Sequence, residues 1–193
     1  KSNLNVSNQR LANLDSERTL LQQRYVNLLK QQSPLSPEAT RQLEALKKKY
    51  PLFQFDPKNG VSRIGVDILF QSGSAVVNKK PASEILGEFA RIMNQTDAKH
   101  LNILVVGHTD DRRIAKANTR SKHPTNWHLS TNRANSVLVS LQKLGIQSSR
   151  LGVAGYGPNQ PLVPNGDEAA RQKNRRVEIV FTRKAKKKII DDD

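Results

Sequence analysis

"LNILVVGHTDD" (residues 101–111) decides the fold. Its first part, Leu101–His108, is a near-continuous apolar run bounded by Gly107 and the polar residues that follow. A short run of this kind predicts a strand held inside a sheet rather than at its rim. Downstream, "WHLSTNRANSVLVSLQKLG" (127–145) repeats apolar residues at helical spacing. Leu129, Ala134, Val137, Leu138, Leu141 and Leu144 form the core face, and Gly145 ends the helix. "RLGVAGYG" (150–157) then reads as another strand. A strand, a helix and a strand in this order predict a right-handed parallel crossover.

The same reading extends outward. "GVDILFQ" (65–71) reads as a strand and "SGSAVVN" as its turn-rich exit. "KKPASEILGEFARIMNQ" (79–95) carries Pro81 at a helix start, followed by Ile85, Leu86, Phe89, Ile92 and Met93 at helical spacing. "NGDEAARQKN" (165–174) is a short helix, and "RRVEIVFT" (175–182) alternates as a final strand. The order is β-α-β-α-β-(α)-β. The expected architecture is an α/β chain of the α+β two-layer type, with helices on one face of a small mixed sheet.

The flanks differ in composition. Over residues 1–32, Leu4, Leu11, Leu14, Leu21, Tyr25 and Leu28 fall on heptad a and d positions, interrupted by Arg18. A seam this narrow suits a coiled coil and a homodimer through residues 1–32. Ser36 and Pro37 cap and open a second, polar helix over 37–49. "YPLFQFDPKNGVSR" carries two prolines and Asn-Gly, so it reads as loop with room for a short strand. The expected organisation is a helical, coiled-coil-like extension at 1–50, a linker at 51–63, a globular domain at 64–183 and a disordered charged tail at 184–193.

Bulk composition narrows the function. The chain of 193 residues carries a net charge of +15 and no cysteine, which excludes disulfides, thiolate metal sites and thiol nucleophiles. Its basic clusters, among them "RKAKKK" (183–188) and "RQKNRR" (171–176), suit anionic glycan, lipid or nucleic acid. No aromatic residues are interleaved with them and no nucleic-acid motif is present, so no specific nucleic-acid partner is expected. No stretch approaches the ~20 apolar residues of a membrane span, and no signal-peptide pattern opens the chain. Lys1 is not a natural start, so an upstream anchor or signal is expected.

The long basic stretch after Asp110 asks for a functional reason. Asp110 lies just past the C-terminal end of a central strand, the edge where open α/β sheets bind ligands. On the following helix Asn126, Ser130 and Arg133 share one polar stripe that starts at the same edge. Asp110 could hold an ammonium there and Arg133 a carboxylate, as a zwitterionic ligand requires. Alternatively the two simply pair with each other. His108, Asp110, Asp111, His123 and His128 lie near in sequence without a zinc spacing, so neither a metal nor a cofactor is expected. No nucleophile elbow and no marked base is visible, so no catalysis is expected either.

Four segments in order, "VVGHTDD", "NWHLSTNRANSVLVSLQKLGI", "RLGVAGYGPNQPLVPN" and "RQKNRRVEIVF", resemble the OmpA-like peptidoglycan-binding domain over about Ile64 to Thr182. "DILFQSGSA" (67–75), the long loop and "TNWHLS" are most similar to its MotB branch, the flagellar stator subunits. The resemblance implies a non-catalytic binder of the diaminopimelate residue in the peptidoglycan stem peptide. It implies that Asp110, in the Thr109-Asp110 pair, and Arg133 are the principal contacts. Asn126 and Leu129 shape the pocket, and Asn174 and Arg175 sit beside it. It further implies a periplasmic domain of an inner-membrane protein with a membrane-embedded partner subunit, or alternatively an outer-membrane lipoprotein that tethers membrane to wall. Two departures stand out: the basic residues Arg112, Arg113, Lys116, Arg120 and Lys122, and Gln71 where an acid is common.

Overall fold

The computed structural model describes residues 34–51, 53–77 and 80–183. The heptad segment 1–32 and the tail 184–193 lie outside them. The compact unit begins at Pro34, earlier than the expected boundary at residue 64.

Helix α1 (Pro37–Lys49) starts where Ser36 accepts a hydrogen bond from the Ala39 amide at 3.1 Å. It buries Ala39, Leu43 and Leu46 at helical spacing. Those residues belong to the same core as the sheet, so this helix is part of the globular unit and not of an extension. The stretch expected to be linker is also structured. Strands β1 (Phe53–Asp56) and β2 (Val61–Gly65) form an antiparallel hairpin, with Phe53 facing Ile64 and Asp56 facing Val61. Asp56 accepts from the Lys58 and Asn59 amides, and Gly60 takes a positive φ of 61°. The Asn-Gly turn signal was therefore a hairpin signal.

The expected strand at 65–71 is corrected. Strand β2 ends at Gly65, opposite Arg176, where its neighbour begins. The Val66 amide still donates to the Arg175 carbonyl at 3.0 Å, and past that bond the ladder with β5 has ended, so the chain makes one helical turn, α2 (Val66–Leu69). Val66, Leu69 and Phe70 turn into the core instead of alternating.

The remaining elements follow the sequence pattern. They are α3 (Pro81–Met93), β3 (Leu101–His108), α5 (Asn126–Lys143), β4 (Leu151–Gly157), α6 (Glu168–Asn174) and β5 (Arg176–Arg183). Between β3 and α5 a further short helix, α4 (Ala117–Lys122), lies in what read as loop. The sheet order is β1-β2-β5-β3-β4, and only β3 and β4 run parallel. Strand β3 is internal, as its apolar run requires. Phe53, Ile64, Leu101, Ile103, Val105, Val177, Ile179 and Phe181 point from the sheet into one core with α1, α3 and α5.

Two glycines set how α5 lies on the sheet. A Cβ at Gly107 would collide with the Ser130 carbonyl, and one at Gly155 would meet Thr131. The helix backbone therefore rests directly on β3 and β4, which brings its first turns beside the strand ends. Ser130, expected on the exposed polar stripe, is fully buried. Its hydroxyl donates to the Trp127 carbonyl and accepts from the Gly157 amide at 3.0 Å.

Candidate functional site

A cleft of about 330 Å³ opens at the C-terminal end of β3. Thr109, Asp110, Asn126, Leu129, Arg133 and Arg175 all line it. The pairing of β3 with β4 shifts register between Gly107 and His108, and the Thr109 amide then bonds the Gly157 carbonyl at 2.9 Å. That bond holds the strand exit, and Thr109 Oγ1 donates to the Asp110 carbonyl at 2.9 Å. Asp110 is only 8% exposed, so it forms part of the floor rather than an open rim.

Asp110 and Arg133 do not pair with each other. Asp110 Oδ2 takes Nη1 of Arg175 at 2.7 Å, and Oδ1 accepts the Arg112 amide at 3.1 Å. Arg175 continues to Glu168 at 2.8 Å, and Glu168 reaches Arg112 at 3.0 Å. Burial opposes the charge on Arg175, but its hydrogen bonds to Asp110 and Glu168 outweigh that and hold its pKa above the ordinary value.

Arg133 is 4% exposed and stands in a different environment. Its Nε donates to the Ser74 carbonyl at 3.0 Å, and its guanidinium lies 5.6 Å from the Phe70 ring centre. Among the described residues no carboxylate is in salt-bridge range of it. Burial pushes its pKa down to about 10, with Asp67 and Asp110 partly countering and Arg175 reinforcing the depression. The cleft thus contains a buried cation without a counter-ion and a carboxylate with unused acceptor capacity.

The neighbouring side chains have distinct tasks. Thr125 caps α5, and Asn126 at its start donates to the Arg112 carbonyl at 2.9 Å, tying helix to loop. Leu129 supplies an apolar wall. Asn174, expected beside the ligand, is fully buried and does not line the cleft. Its side chain binds the Leu162 and Val163 amides, the Val163 carbonyl and Asn165, so it folds the loop before α6. A primary amide there meets both donors and acceptors, a purely structural requirement.

Asp111 turns away to Arg171 at 3.0 Å, on the bend that Asp110 closes by accepting the Arg112 amide. The three other histidines named with it diverge: His123 meets Asn132, His128 meets Thr125, and His108 stacks on Tyr156. The His108 ring is buried with no hydrogen-bond partner, 3.7 Å from Glu178.

Sequence reasoning overlooked Asp67, Glu168 and the Ser74 carbonyl. Glu168, Arg171 and Arg175 follow helical spacing, a usable signal for one charged face. Asp67 was hidden by the strand reading, and a backbone carbonyl leaves no mark in sequence.

The OmpA family matches residues 69–175, more than half the chain. Motility protein B of Helicobacter pylori is 27% identical over 125 residues, covering 65% of this chain and 47% of that protein. The chain spans about half the length of the curated relatives it matches. A MotB-like protein of Desulfovibrio vulgaris superposes with a TM-score of 0.64 at 27% identity, over 84% of this chain and 99% of the other. The cell wall anchor of the T6SS from Pseudomonas aeruginosa gives a TM-score of 0.64 at 30% identity, over 76% and 98%. With this match over more than half its length, the chain belongs to the OmpA family.

Proposed function

We propose that the domain binds peptidoglycan without catalysis and anchors an envelope protein to the cell wall. The observation that carries this reading is Arg133: a buried guanidinium, facing a cleft, with no carboxylate partner among the described residues. Such a charge is costly unless a ligand supplies its counter-ion. The side chain of diaminopimelate in a stem peptide offers a carboxylate for Arg133 and an ammonium for Asp110. A carboxylate has about four lone-pair sites. Asp110 spends one on the Arg112 amide and one on Arg175, so each oxygen keeps a site for the ammonium. Thr109 holds Asp110 in place, Asn126 and Leu129 shape the entrance, and Arg175 fixes the carboxylate's orientation. The family membership and the likeness to a cell wall anchor support the same reading.

The likeness to MotB proteins favours a stator subunit of the flagellar motor as the owner, with this chain as its periplasmic part and a separate membrane-embedded subunit as the partner of the full-length protein. The heptads of residues 1–32 then join two domains, and two linked heads gain avidity on a polymeric wall. Co-sedimentation with purified sacculi tests the site. Asp110→Asn keeps the size and the Arg112 contact but removes the charge, and binding should fall at least about tenfold, the loss of one charge-assisted contact. Parental sedimentation by this variant, with an unchanged circular dichroism spectrum, overturns the assignment.

A further inference from the structure

The basic segment after Asp111 is built into the cleft. Arg112, Arg113, Ile114, Ala115 and Lys116 form one continuous wall of it. The segment is pinned along its length. Arg112 is held at its amide by Asp110, at its carbonyl by Asn126 and at its guanidinium by Glu168. Further on, Thr119 is buried and donates to the Gly73 carbonyl at 3.2 Å, where a positive φ of 74° leaves room only for glycine.

The wall carries more positive charge than the cleft can balance. Five cations and three carboxylates line it. The carboxylates Asp67, Asp110 and Glu168 are engaged by Arg175 and Arg112. Arg113 and Lys116 have no carboxylate in salt-bridge range among the described residues, and the Lys116 ammonium reaches only the Ser72 hydroxyl at 3.5 Å. A head group with one ammonium and one carboxylate is neutral overall. It satisfies Arg133 and Asp110 and leaves the excess at Arg113 and Lys116 uncompensated.

We propose that Arg113 and Lys116 form a second anion subsite that reads a further carboxylate of the same ligand. The cleft then selects a stem peptide whose glutamyl residue, next to diaminopimelate, keeps its α-carboxylate free, and it disfavours the amidated stem. The proposal rests on reading the cleft as a stem-peptide site. Ile114 and Ala115, between the two cations, give the methylene groups of such a residue an apolar surface to lie on.

The test uses two synthetic tripeptides, L-alanyl-γ-D-glutamyl-meso-diaminopimelate and the same peptide with the glutamyl α-carboxylate amidated. Binding is measured by calorimetry at low and moderate salt. The parent chain should bind the free acid about five- to tenfold more tightly, as two solvent-facing ion pairs allow, with the ratio shrinking as salt rises. Arg113→Gln combined with Lys116→Gln should bring the ratio to about one, by weakening only the free acid. Equal binding of both peptides by the parent, or a ratio that survives the double substitution, overturns the subsite. In either case Asp110-dependent binding of the amidated peptide leaves the anchor reading standing, whereas failure of the parent to bind either peptide overturns both.

Discussion

Replacing Arg133 by methionine should abolish binding without unfolding the protein. The usual expectation for so buried a residue is a loss of stability. Here burial, above all, lowers the guanidinium's pKa by more than two units to about 10. Each pKa unit corresponds to about 1.4 kcal/mol, so holding this charge in the ligand-free fold costs about 3 kcal/mol. The folded state binds this proton less tightly than the unfolded chain, so the cost is fully present at pH 7 and is relieved only as pH rises above about 10. Methionine gives up the charged hydrogen bond to Ser74, worth about 1.5–3 kcal/mol, and the buried contact with the Phe70 ring, worth about 2 kcal/mol where the cation is desolvated. The balance leaves Arg133→Met no more than about 2 kcal/mol less stable than the parent, a fall of at most roughly 8 °C in Tm for a domain of this size. Urea unfolding followed by circular dichroism measures the stability, and sacculus co-sedimentation measures the binding. A stability loss above about 2 kcal/mol, the range of ordinary truncations, refutes the claim that this cation lacks compensation in the free domain. Retained sedimentation refutes its role in the cleft.

Two further outcomes follow from charges outside the cleft. On the opposite face of the sheet Glu178 joins Arg63 and Arg176, each at 2.9 Å, beside His108. Burial would raise its pKa, but these partners hold its carboxyl far below the usual range. The stability it contributes is therefore complete above about pH 4.5 and is lost as pH falls below that value. Glu178→Gln should flatten the acid limb of a pH–stability curve measured by urea unfolding, and a limb as steep as the parent's would speak against this cluster. Arg150, 3% exposed, donates to the carbonyls of Leu101, Met93 and Ala98 at 2.8, 3.0 and 2.9 Å. Arg150→Met should cost about 3 kcal/mol in urea unfolding, because three buried acceptors lose their donor at once; a cost below about 1 kcal/mol would mean that water replaces it.

Strand β3 and helix α5 were legible because the strand is a near-continuous apolar run of eight residues, the helix repeats its apolar residues at helical spacing, and each ends on a recognisable signal. That sufficed to place Asp110 at a strand exit and Arg133 two turns into the following helix, and so to bring both to one edge of the sheet. The hairpin at 53–65 was harder to read. Its first strand is four residues long, and β2 turns a polar Ser62 inward. The turn at 66–69 depended on where β5 begins, more than a hundred residues later.

Local periodicity in the amino-acid chain determined the order of elements, the parallel β3–β4 unit and the two charges that converge on the cleft. Tertiary structure alone decided what those charges meet. Arg133 bonds a carbonyl 59 positions away, Asp110 pairs with an arginine 65 positions away, and Asn174 proved to be a loop tie. Periodicity records which face of an element is apolar, whereas the partner of a charge is set by distance and burial in space. Chain segments remote in sequence contribute to both.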